Sequence, residues 1–109
     1  MTAVFDARRR ALRFPALLPG IDRVAAAELQ SIVASRTARA QPAHKRLDSR
    51  RARITGTVRK GDFWLNVDIR GRNHDYAVTK ALNLINELFL ALHEGHPEYL
   101  VERFGFSTE

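Results

Sequence analysis

The chain reads as a small two-layer α+β domain in the order β(edge)–α–β–β–α, an antiparallel hairpin packed under a long C-terminal apolar helix. Three observations predict this. Residues 51–59 and 62–70 alternate apolar and polar side chains, a short turn joins them, and a helical apolar period follows from residue 76. At 109 residues and 45% hydrophobic composition the chain fits one domain, 1–109, able to fold without staples.

In the second strand, Phe63, Leu65, Val67 and Ile69 alternate with Trp64, Asn66, Asp68 and Arg70. In the first, Ala52, Ile54 and Val58 share a face against Arg51, Arg53, Thr55, Thr57 and Arg59. Lys60-Gly61-Asp62 closes them into a hairpin, and Gly56 interrupts the apolar face, which predicts a bulge or a close backbone approach. A two-stranded hairpin is marginal alone and needs a cover.

The cover is a helix over Tyr76 to Glu94. Asp75 is placed to cap it, Gly95 to end it in the left-handed conformation and Pro97 to forbid its continuation. Val78, Ala81, Leu82, Ile85, Leu88, Phe89 and Leu92 form its core stripe. Leu84, Leu90 and Ala91 fall outside that stripe, an apolar surplus.

An earlier helix is expected from Asp22, its cap, to about Arg36, with Val24, Leu29, Ile32 and Val33 inward. Before it, residues 11–18 suit a strand that Pro15 confines to a sheet edge. Residues 1–10 read as a flexible basic N-terminus and 37–49 as a mobile basic loop; Pro97 to Phe104 reads as a last helical turn or two, with Tyr99, Leu100 and Phe104 folded back.

The net charge of +6 is unevenly spread: residues 36–60 carry +8, whereas residues 61–109 carry −4. With no cysteine, disulfides, thiolate metal sites and a cysteine nucleophile are excluded, and a cytoplasmic location is expected. No apolar run approaches a membrane span. His93 and His96 resemble a metal-ligand spacing, yet zinc needs about three protein ligands and His74 lies at the far end of the helix. No phosphate-binding glycine loop is present, and Asp62, Asp68 and Asp75 have structural uses as turn, strand-face and cap residues. No enzyme activity, metal or cofactor is expected.

A non-catalytic protein-binding role follows as the leading expectation: an adaptor, inhibitor or immunity-type protein, homodimeric in one version. It would act through the hairpin edge and the apolar helix, with Leu84, Leu90, Ala91 and Trp64 as partner-binding residues. The alternative is nucleic-acid binding by Lys45, Arg46, Arg50, Arg51, Arg53 and Arg59, with Trp64 as a stacking ring on the outer hairpin face.

Overall fold

A computed structural model describes residues 3–36 and 46–104. It contains β1 (Val4–Asp6), β2 (Ala11–Leu18), α1 (Arg23–Ser35), β3 (Ala52–Arg59), β4 (Asp62–Ile69), α2 (His74–Gly95) and α3 (Pro97–Phe104). The strands make one antiparallel sheet in the order β1-β2-β4-β3. The fold is therefore the mixed α+β arrangement the periodicity predicts, enlarged by one strand at the N-terminus.

β4 sits between β2 and β3, and its four apolar side chains Phe63, Leu65, Val67 and Ile69 are all buried. Full burial of side chains this size contributes roughly 1.5–3 kcal/mol each, which makes this row the centre of the core. The connecting turn uses Lys60 and Gly61, both at positive φ (53° and 82°), as a two-residue hairpin turn requires. Around its tip, the Gly20 amide donates to Asp62 Oδ1 at 2.8 Å and the Ile21 amide to the Gly61 carbonyl at 3.0 Å. The corner that leads from β2 into α1 is thereby tied to the hairpin.

β2 is an inner strand, not the expected edge. Pro15 is accommodated because the β2–β4 pairing lapses between Phe14 and Leu18, where Ala16 takes φ 46°. Residues 4–6, expected to be flexible, pair with β2 instead. Across Gly56 the β3–β4 register is continuous, so no bulge occurs there. The missing side chain makes room for a ring: a Cβ on Gly56 would lie 2.6 Å from Phe63 Cζ.

α1 begins as predicted, with Asp22 Oδ1 accepting from the Ala25 amide at 2.9 Å. Its inward face is rotated from the expected one. Ala25, Ala26, Leu29 and Val33 are buried, Ile32 is half-buried, and Val24 is 65% exposed; two alanines let the helix approach closely. α2 starts two residues earlier than expected, so Asp75 lies in its first turn rather than at the cap; Asn73 takes the N-cap position without a side-chain capping bond. Gly95 remains helical, and the His96 amide closes the end by donating to the Leu92 carbonyl at 2.7 Å.

The inward face of α2 is Ala77, Ala81, Leu84, Ile85, Leu88 and Leu92, and α3 adds Leu100. Phe89 meets Phe104 edge-on at 5.5 Å between centroids. Of the expected mobile loop, residues 37–45 lie outside the described part. Leu47, by contrast, is buried, and its amide donates to the Arg36 carbonyl at 2.7 Å, while the Asp48 amide donates to the Tyr76 hydroxyl at 2.8 Å.

Gly56→Ala should therefore cost about 1–3 kcal/mol, because the added methyl must displace a fully packed core ring. Urea unfolding with an unchanged slope and an earlier midpoint is the expected result.

Candidate binding surfaces

Antiparallel partners share a sheet face, so the register divides the side chains. Leu12, Phe14, Leu65, Val67, Ile54 and their neighbours lie on the face under α1 and α2. Arg13, Asn66 and Thr55 form a row on the other face, as do Asp68 and Arg53, and Trp64 and Thr57. Asn66 Nδ2 donates to Thr57 Oγ1 at 3.0 Å across this second face. The Arg59 guanidinium stands 4.6 Å from the ring of half-buried Trp64.

The apolar surplus of α2 is smaller than expected and lies elsewhere. Leu84, a predicted partner-binding residue, is 4% exposed and belongs to the core. The helix is turned so that Leu84 faces inward while Val78 and Leu82, expected in the core, are exposed. Ala91 is half-buried, and Leu90 is 55% exposed. Leu82 and Leu90 stand eight residues apart, about 12 Å along the axis, so they form no single patch.

The predicted basic site divides. Arg59 sits at the hairpin tip with Trp64 opposite Thr57, whereas Arg50, Arg51 and Arg53 sit toward the opposite end of β3. Along the strand, Arg53 is about 20 Å from Arg59 and about 13 Å from Thr57. Lys45 lies outside the described residues, and Arg46 is half-buried. What joins Arg51 instead comes from distant sequence. The Arg70 amide donates to the Arg51 carbonyl at 3.1 Å, and the Ile69 amide to the Arg10 carbonyl at 2.8 Å. Arg10 Nη1 reaches the Gly71 carbonyl at 3.1 Å. Arg8 and Arg9 lie in the same turn as Arg10, their amides held by Asp6 Oδ1. One end of the sheet is therefore ringed by three arginine-bearing turns. The unused signal was the triplet at 8–10, whose placement depends on β2 pairing with β4.

The sheet has two edges, the three-residue β1 and the eight-residue β3. Because the Arg51 carbonyl bonds toward β4, and the Gly56 carbonyl accepts from Gln30 Nε2 at 3.1 Å on the far side, even-numbered residues of β3 turn their backbone groups outward. The Ala52 amide is taken by the Asp48 carbonyl at 3.1 Å. Among the described residues, the N–H and C=O of Ile54 and Val58 and the N–H of Gly56 take no hydrogen-bond partner; Val58 is exposed, whereas Ile54 is buried.

Other features are used internally. His96 Nε2 lies 2.9 Å from Glu28 Oε2. Among the described residues no three His, Cys, Asp or Glu side chains gather at metal-binding distance, and no helix is long and apolar enough to cross a membrane. A cleft of about 290 Å³ between α2 and the residues Arg36, Leu47 and Ile54 contains the Arg36–Glu87 ion pair. The bonds from the Arg50 amide and side chain hold the Asp48 carboxyl below its ordinary range. Tyr99 donates its hydroxyl proton to the Pro19 carbonyl, and burial raises it to about 12. No known family, curated protein or solved structure matches the chain.

Tyr99 favours folding in its neutral form, so its contribution is complete below pH about 10 and is lost as pH rises toward 12. Ultraviolet titration of the two tyrosines should show one ionising late, and Tyr99→Phe should remove that late step.

Proposed function

We propose that this domain is a non-catalytic protein-binding module that accepts an extended segment of a partner along the edge of β3. The observation that carries this reading is the run of outward backbone groups of Ile54, Gly56 and Val58 without a hydrogen-bond partner, interrupted by the Gln30 bond to the Gly56 carbonyl and most accessible at Val58. Main-chain pairing supplies affinity in such a mode, and side chains on the exposed face supply selectivity. Here those side chains are Arg53, Thr55, Thr57 and Arg59, with a guanidinium at each end of the run.

The charges favour a partner strand over a second copy. A copy paired antiparallel about Gly56, the middle of the outward run, would set Arg53 opposite Arg59 at both ends, and facing like charges destabilise a pair. An acidic strand meets both arginines with opposite charge. An inhibitor, adaptor or immunity-type protein that covers a strand of its target would use such an edge.

Val58→Pro tests the reading, since it removes an outward N–H while leaving the Thr57 and Arg59 ladder bonds to β4. A labelled peptide alternating Val and Thr with Glu at each end should bind the wild type and bind Val58→Pro about tenfold more weakly. No binding of that peptide, or equal binding of a version with Lys in place of Glu, would overturn the proposal.

A further inference from the structure

Beyond the β3 edge, we infer that the arginine-ringed end of the sheet is a second, separate site that holds the phosphate backbone of a nucleic acid without reading its sequence. The three turns that build it are 7–10, 48–51 and 70–73, and neighbouring strands bring them side by side at the usual spacing of about 4.8 Å. Their arginines are all exposed.

Two of these side chains are fixed without being neutralised. Arg10 is held by a carbonyl, and Arg51 by the Asn73 Oδ1 at 3.1 Å and by the Tyr76 ring, 3.9 Å from its guanidinium. Neutral partners restrict the rotamers, which lowers the entropic cost of binding, and leave the charge available to a ligand. Arg50 alone is paired with a carboxylate, Asp48 at 3.3 Å. Asp6, Asp68 and Asp75 temper the field of this region without closing on its arginines.

The choice of phosphate over an acidic protein rests on what the three turns lack. Protein interfaces need an apolar or aromatic centre, whereas nucleic-acid interfaces are polar and strongly positive. The turns themselves carry no large apolar side chain; the exposed apolar residue that borders them is Phe5, whose ring meets His74 edge-on at 5.9 Å. Trp64 stands toward the other end of the hairpin, and the Phe5 ring at this end is engaged edge-on with His74, so contacts here go to the backbone.

The probe is a short labelled DNA duplex of mixed sequence, followed by fluorescence anisotropy over a salt series. The wild type should bind with a steep salt dependence. Arg8→Ala/Arg9→Ala/Arg72→Ala removes three exposed side chains that take part in none of the hydrogen bonds above; it should weaken binding about tenfold or more and flatten the log–log salt slope by about 2.7. Val58→Pro should leave duplex binding unchanged, which separates failure of this site from failure of the β3 edge. The inference is overturned if the wild type does not bind at low salt, if the triple variant matches the wild type while remaining folded by circular dichroism, or if polyglutamate displaces the duplex as effectively as unlabelled duplex does.

Discussion

Everything in this fold depends on β4 being paired on both sides while one of its faces is buried. Phe63, Leu65, Val67 and Ile69 give the helices a continuous apolar floor, and the backbone of the same strand satisfies β2 on one side and β3 on the other. A strand that is internal in hydrogen bonding and one-sided in hydrophobicity fixes its own register, because a slip of one residue would turn the whole row to water. The room that Gly56 leaves for Phe63 belongs to the same constraint.

The surfaces available for function are by-products of that arrangement. With β4 inside, β3 becomes an edge, and the only described side chain that reaches its outward backbone is Gln30 from α1. With β2 on the other flank, the turn that follows β1 is carried to the strand ends that lead into β3 and out of β4. Arg10 and Gly71, 61 residues apart in sequence, come within hydrogen-bonding distance for this reason. The arginine-ringed surface holds one non-glycine residue in the left-handed region, Arg10 at φ 51°.

What the sequence disclosed was what local chemistry determines. The Asp22 cap, the two-residue turn, the alternation in β4 and the extent of α3 each depend on residues a few positions apart, and each is where the pattern placed it. What it concealed depends on tertiary direction. Periodicity gives α2 an apolar arc without stating how that arc is rotated, so Leu84 and Val78 exchanged roles once α1 packed beside the helix. The basic site had the right residue type in the wrong grouping: Arg51 joins Arg10 and Arg70 rather than Arg59, because sheet order, not sequence proximity, decides which charges meet. β1, three residues long, carries too little alternation to announce itself.

The irregularity in β2 has a consequence for how this chain can change length. From Phe14 to Leu18 the strand takes four steps while its partner takes two, from Leu65 to Phe63. The surplus is an even number, so both ends of the interruption still point the same way. Loss or gain of a single residue at Pro15 or Ala16 would reverse one half of the strand relative to the other and send Phe14 or Leu18 to the exposed face. Removal of both residues would leave the facings intact and close the ladder. Length at this point is thus constrained by parity rather than by size, and insertions or deletions in twos are the ones the sheet can accept.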